Sequence, residues 1–442
     1  MIFESAWYDY QNRNMPKYVR LYYCIRREIE KGNMEPDYKL PSIRQVSKEL
    51  GLSSTTVENA YNQLMVEGYI YSIPQKGYYA ANLDHSLINV GTLPVKKVIQ
   101  NVNTRVIDDF LDTEIFNFGD WRKIYNRIMR DFKQRLLIEG DPQGETELRK
   151  ALADYTYKAR GVVCSPDQII IGSGVQTLLH IFCDITAGVV KPGVAFEEPG
   201  FVDVRPIFQK RGYKLHPVNL DRDGINIKTL FKTEAGVCYT SPSHQYPTGL
   251  VMPVQKRMEL LRWADNTGGF ILEDDYDSEL RLSGRPVPSL YSLDNSGRVI
   301  YIGSFSTVIA PSLRISYMIL PDFLNERYKN IIDGYRSTVS TAEQLVLTEY
   351  INSGLYAKHL RRMRKKCSEK LKLLNQTAAQ FSNGLKIYSS GTGTFVLIEV
   401  EKRKKSKTVP NKYVSEIWDG FYVFNYANIN PEKYEEILKQ LM

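Results

Sequence analysis

One stretch near the N-terminus leaves the chain little freedom: Leu40-Pro41-Ser42-Ile43-Arg44-Gln45-Val46-Ser47-Lys48-Glu49-Leu50-Gly51-Leu52, then Ser53-Ser54-Thr55-Thr56-Val57-Glu58. Ser42 stands where it would cap a short helix whose apolar side is Ile43, Val46 and Leu50. Gly51 suits the tight turn that ends it. The hydroxyl run Ser53 to Thr56 then opens a second helix, with Thr55 and Glu58 at capping-box spacing and Val57, Ala60 and Leu64 facing inward. Upstream, Leu21, Ile25 and Ile29 recur every four residues and Gly32 closes that helix. Downstream, residues 68–73 and 77–80 read as two short strands joined at Pro74-Gln75-Lys76-Gly77. Helix, glycine turn, helix and hairpin in that order describe a winged helix-turn-helix. A plain three-helix packing unit and a helix-turn-helix used for protein contacts are the alternatives.

At 442 residues the chain exceeds one ordinary core, and two or three domains are expected. The net charge of +8 invites a polyanion partner. Its distribution weakens that argument, because residues 1–80 hold ten Lys/Arg against nine Asp/Glu. The surplus lies in Lys358, Arg361, Arg362, Arg364, Lys365 and Lys366 and in Lys402 to Lys405, which read as solvated faces. DNA binding therefore rests on the motif. The N-terminal residues lack a basic region followed by an apolar stretch, and no apolar run is long enough for a bilayer. No secretory signal or membrane association is expected. Five scattered cysteines without Cys-x-x-Cys spacing suit a reducing cytoplasm and argue against a metal site.

Residues 17–80 resemble the winged helix of GntR-type bacterial repressors. The likeness is carried by Leu40-Pro41-Ser42-x-Arg44, Thr55-Thr56-Val57, Glu67-Gly68-Tyr69 and the wing glycine Gly77. It implies that Arg44, Ser54, Thr55, Thr56, Lys76 and Gly77 face double-stranded DNA. Ser54 and Glu58 depart from the pattern, since the family often has arginine there.

Beyond residue 115 the pattern changes. Asp141-Pro142-Gln143-Gly144 precedes an amphipathic helix over 152–157. Strand-like Gln168-Ile169-Ile170-Ile171 runs through Gly172-Ser173-Gly174-Val175 into an apolar helix. Such a junction is a phosphate cradle, because free backbone N–H groups point at the anion, or an ordinary strand-to-helix turn. Glu198-Pro199-Gly200-Phe201 places an aromatic ring in a loop, and Ser241-Pro242-Ser243-His244-Gln245-Tyr246-Pro247-Thr248-Gly249 is rich in polar turn residues. Phe270-Ile271-Leu272 ends in Glu273, Asp274, Asp275, Asp277 and Glu279. Those acids read as a partner for a ring nitrogen, a solvated strand end or a metal site. The last is disfavoured because no histidine stands at ligand spacing.

With Tyr301-Ile302-Gly303-Ser304-Phe305-Ser306-Thr307 and the following Ala310-Pro311-Ser312-Leu313-Arg314, these motifs resemble the body of a fold-type I aminotransferase over residues 115–442. Fused to the winged helix, they resemble the MocR subfamily of bacterial transcription regulators. The resemblance implies an α/β fold: a winged helix-turn-helix over 1–81, a linker over 82–114, and an effector-binding, dimerising body over 115–442. That body would have a mixed, mostly parallel sheet and a smaller C-terminal α/β subdomain.

It implies further that Asp274 pairs with the ring nitrogen of pyridoxal 5′-phosphate (PLP), Tyr276 with the ring hydroxyl, and Phe201 with the ring face. Ser173, Gly174, Val175, Ser304, Ser306 and Arg314 would surround the phosphate. Thr307, however, stands where the family has its Schiff-base lysine, and Val423 where it usually has an arginine for a substrate carboxylate. No catalytic residue is therefore assigned. PLP, if held, is held noncovalently, and the expectation is a cytoplasmic, homodimeric regulator sensing a small molecule. An active aminotransferase with a fused DNA-binding domain is the alternative, and a constitutive DNA-binding dimer without ligand is a third reading.

Overall fold

The computed structural model describes residues 7, 15–82, 116–282, 287–381, 384–389, 391–400, 414–418 and 420–442. The segment 82–114, expected as a linker, lies outside them except for its first residue. The chain divides into two units, Met1–Arg105 and Val106–Met442.

In the first unit, α1 (Lys17–Glu30), α2 (Ile43–Leu50) and α3 (Ser54–Val66) are followed by β1 (Ile70–Ile73) and β2 (Gly77–Ala80). The two strands pair antiparallel with Ile70 opposite Ala80. Leu21, Ile25 and Ile29 of α1 meet Val46 of α2 and Val57, Ala60, Tyr61 and Leu64 of α3 in one core. Ser42 caps α2 by accepting from the Gln45 N–H, and Gly51 closes it at φ +63°. The capping box expected at Thr55 and Glu58 does not form. Ser53 takes the N-cap instead, its Oγ accepting from the Thr56 N–H at 3.1 Å. The serine directly before the first helical turn is the one whose oxygen reaches the unpaired N–H groups.

The second unit is built on an eight-stranded sheet: β3 (Ile169–Gly172), β4 (Gly193–Glu198), β5 (Lys214–Asp221), β6 (Gly224–Ile225), β7 (Val237–Thr240), β8 (Phe270–Asp275), β9 (Val299–Ser304) and β10 (Ser316–Ile319). Its spatial order is β3-β10-β9-β8-β7-β4-β5-β6. The run β9-β8-β7-β4-β5 is parallel, whereas β10 lies antiparallel between β3 and β9 and β6 antiparallel beside β5.

Both faces are buried, which is why the central strands read as unbroken apolar runs rather than as alternation. Phe270 and Leu272 pack with Leu178, Leu179 and Phe182 of the helix Val175–Thr186. Between them Ile271 points to the opposite face, toward Leu260, Trp263 and Ala264 of the helix Val254–Thr267. Each such side chain contributes about 1.5–3 kcal/mol on burial. The helix expected over 152–157 runs from Thr146 to Arg160.

A smaller antiparallel sheet near the C-terminus has the order β11-β12-β14-β13, from β11 (Leu385–Tyr388), β12 (Val396–Val400), β13 (Val414–Trp418) and β14 (Phe421–Phe424). Its buried face shares a core with the 25-residue helix Leu355–Ala379.

Candidate functional site

The carboxyl ends of β4, β7, β8 and β9 lie at one edge of the main sheet, where ligands of open α/β sheets collect. Pairing through β10 completes that edge. Ser316 lies opposite both Gly172 at the end of β3 and Ser304 at the end of β9. The distant β3 and the adjacent β9 and β10 thus reach one row, and the Ser316 hydroxyl donates to Ser304 Oγ at 3.1 Å.

At one end of the row is the cradle. Gly174 takes φ +97° immediately before the helix Val175–Thr186, whose first N–H groups lack intrahelical partners. A Cβ built on Gly174 would stand 2.3 Å from Arg314 Nη2. The guanidinium therefore lies against the helix start. Arg314 itself holds the left-handed region at φ +53°. The Ser173 N–H donates to Thr338 Oγ1 at 3.0 Å, and the Ser306 N–H to Ser304 Oγ at 3.3 Å. Ser173, Gly174, Val175, Ser304, Ser306 and Arg314 thus cluster around the row. The Ser173, Gly174 and Ser306 N–H groups are already donated within the fold, so an anion would meet the start of the helix Val175–Thr186, the hydroxyls and the Arg314 guanidinium.

The far end is acidic. Strand alternation sends Asp274 to one face of β8 and Glu273 and Asp275 to the other. Asp275 pairs with Arg160 at 2.7 Å and accepts from the Tyr301 hydroxyl at 2.6 Å. Asp274 accepts from the Tyr239 hydroxyl through Oδ2, while its buried Oδ1 has no partner among the described residues. Burial pushes its carboxyl up to about 7. Glu197, enclosed at the end of β4, is likewise raised to about 7 by burial, although Thr240 and Gln245 donate to it.

Phe201 stacks on Tyr246, ring centres 4.7 Å apart and planes 10° from parallel. Tyr276 meets Phe201 edge-on at 5.1 Å, and its hydroxyl bonds His244 Nδ1 at 3.0 Å. The same nitrogen lies 2.9 Å from both oxygens of Asp277. Val423 is buried with Phe395 and Leu397 in a patch that packs against Tyr246 and Tyr276. This flank is therefore apolar. Thr307 is half-buried in the turn after β9.

The residues fit a phosphorylated, protonatable aromatic ring at both ends. A glycine cradle with a cation would meet the phosphate, and the orphaned Asp274 oxygen would meet a ring nitrogen. In between, one face of Phe201 is already covered by Tyr246, and Tyr276 is engaged with His244. Sequence reasoning missed the His244–Asp277 pair, the Tyr239 bond to Asp274 and the Arg160–Asp275 pair. Only the polar loop 241–249 and the acid run 273–279 signalled them. The long-range meeting of those segments could not be read locally.

In the first unit Arg44, Ser54, Thr55 and Lys76 are exposed. Thr56 is half-buried, and its hydroxyl shares a hydrogen bond with Ser53 Oγ at 2.7 Å. Gly77 turns the wing at φ +117°, with Lys39 3.6 Å from the position of its absent Cβ.

Residues 113–439 match the family described as aminotransferase class I and II, and residues 17–79 match bacterial regulatory proteins of the gntR family. The chain is 37% identical over 394 residues to an HTH-type transcriptional regulator, YdeL, of Bacillus subtilis (strain 168), covering 88% of this chain and 84% of that one. It is 31% identical over 383 residues to the probable rhizopine catabolism regulatory protein MocR of Rhizobium meliloti, covering 82% and 77%. The crystal structure of Pyrococcus horikoshii kynurenine aminotransferase superposes with a TM-score of 0.65 at 24% identity, over 75% of this chain and 88% of that one. That likeness shows the fold alone. The expected architecture, a gntR-type helix-turn-helix with a fold-type I aminotransferase domain, is the one found.

Proposed function

The chain belongs to the HTH-type transcriptional regulators of MocR type, which join a gntR-family DNA-binding domain to an aminotransferase class I and II domain, and from this premise we propose that its body senses a small molecule without catalysing transamination. The effector class we assign is a phosphorylated pyridoxal-type ring held noncovalently. Thr307 carries this reading. An alcohol cannot form the imine that anchors such a ring, nor relay a proton as an amine does. When bound in an aminotransferase, PLP supplies an electron sink for carbanion chemistry.

The roles of the chain's own residues follow from their positions. The N–H groups at the start of the helix Val175–Thr186, with Arg314 and Ser304, would bind the phosphate, each charge-assisted bond being worth about 1.5–3 kcal/mol. Asp274 would hold a proton shared with the ring nitrogen, and Tyr276 would orient the ring hydroxyl from its place beside His244. The apolar patch of Val423, Phe395 and Leu397 excludes water and offers no cation to a substrate carboxylate.

Two bodies would pair as a homodimer, and ligand occupancy would reset the spacing of two DNA-binding domains on paired half-sites. The test is a PLP titration of the purified protein by absorbance, followed by borohydride reduction and intact mass. Saturable binding without a covalent pyridoxyl adduct is expected. A reduced adduct, or turnover dependent on an amino donor, would overturn the reading.

A further inference from the structure

Helix α3 buries Val57, Ala60, Tyr61 and Leu64 and leaves Ser54, Thr55, Glu58, Asn59 and Asn62 exposed. At 3.6 residues per turn those five fall on one continuous face opposite the core. It holds no lysine or arginine, and Glu58 is its only charge. Because Ser53 supplies the cap, Glu58 is not engaged in a capping box. Nor, among the described residues, does it join the ion pairs of this unit, which tie Arg26 to Glu30 and Glu67.

Exposed cations stand instead on neighbouring elements: Arg44 and Lys48 on α2, Lys39 before it, and Lys76 in the wing turn. Charges placed this way suit phosphates and set position, leaving base edges to the helix face. A bare carboxylate there carries information, since it accepts hydrogen bonds and never donates them.

We propose that Glu58 is a specificity-determining residue that reads a cytosine in the major groove of each half-site; this rests on the reading that the first unit binds DNA. The choice of base follows from the edges. Guanine shows two acceptors and thymine an acceptor and a methyl, so both repel or fail to bond a carboxylate. Adenine shows a donor beside an acceptor, N7, which faces the second carboxylate oxygen unfavourably. Cytosine alone presents a donor, its N4 amine, without an adjacent acceptor. The same charge discourages loose phosphate contact, so Glu58 exchanges general affinity for discrimination.

The test uses the full-length protein. A preferred duplex is selected from a randomised pool, and binding to it and to its single-position variants is followed by fluorescence anisotropy at fixed salt. For the unchanged protein, replacing one cytosine per half-site should weaken binding on the order of tenfold or more. Glu58→Ala should level all four bases at that position and leave other positions unchanged. Glu58→Gln should shift the preference to adenine, whose donor–acceptor pair an amide matches. The proposal is overturned if Glu58→Ala keeps the original profile, or if the levelled position is not a cytosine. Failure of the unchanged protein to select any sequence would overturn it together with its premise, and the two failures are told apart by that first measurement.

Discussion

The guanidinium of Arg314 lies over Gly174 so closely that a single methyl on the glycine would stand 2.3 Å from Nη2. Gly174 at φ +97° and Arg314 at φ +53° both hold backbone conformations that ordinary side chains avoid. Such conformations cost of order 1–3 kcal/mol for a non-glycine residue and persist where the surroundings impose them. Gly174→Ala should therefore displace the arginine and weaken PLP binding at least tenfold, read by absorbance titration. Arg314→Gln, which leaves the glycine untouched, should lower affinity comparably with an unchanged circular dichroism spectrum. Undiminished affinity in Arg314→Gln would remove the cradle from the site.

The hydroxyl at Thr307 makes a second prediction. With no amine to capture an aldehyde, the pocket should bind PLP and its amine counterpart, pyridoxamine 5′-phosphate, within a few-fold of one another by calorimetry. Thr307→Lys should break that parity in favour of PLP and yield a borohydride-reducible adduct by intact mass. A strong aldehyde preference in the unchanged protein would point to another covalent partner.

Stability should depend on pH in a direction set by the buried acids. Glu197 and Asp274 are raised to about 7 by burial, against an ordinary carboxylate near 4. Between those values the folded protein holds protons that the unfolded chain has released, so stability falls as pH rises through that window. Below it the penalty vanishes, and above about 7 it is fully present. Glu197→Gln removes one such group. Between pH 4 and pH 8 it should lose less stability than the unchanged protein, by roughly 3–4 kcal/mol in denaturant titrations. An identical pH profile would show that Glu197 stays ionised in the fold.

Asp277 should matter through His244. The two are buried together, and Asp277→Ala leaves the imidazole Nδ1 with only the Tyr276 hydroxyl. A cost of about 1–3 kcal/mol is expected, measured as a lowered unfolding midpoint. Gly393→Ala should act on the same pair sterically, since its Cβ would stand 2.3 Å from the His244 ring and 2.5 Å from Asp277. Equal midpoints in all three proteins would dismiss the pair as a structural element.

The winged helix was legible because its determinants are local: Ser42 and Gly51 bound one helix, and Val57, Ala60 and Leu64 recur at helical spacing. The cap of α3 was misread because Ser53 and Thr55 both offer a hydroxyl, and only the true helix start decides between them. In the body, the strand–glycine–helix junction at Gly174 was visible, and Asp274 was assigned by resemblance. What the sequence hid is how β8 divides its acids, with Asp274 beside Tyr239 and Asp275 beside Arg160. That division depends on which strand lies next to β8 and which helix covers each face. His244 meeting Asp277 depends likewise on two loops converging at the sheet edge.

The antiparallel insertion of β10 between β3 and β9 also has a temporal meaning. β9 and β10 are joined by a short connection, whereas β3 lies far upstream of both. The loop-closure entropy of this seam therefore falls on the β3–β10 pairing, which should form after β10 has joined β9. The meeting of Gly172 with Ser316 would then be the step that completes the row. An anion seated on the row would favour the closed pairing over the open one by mass action.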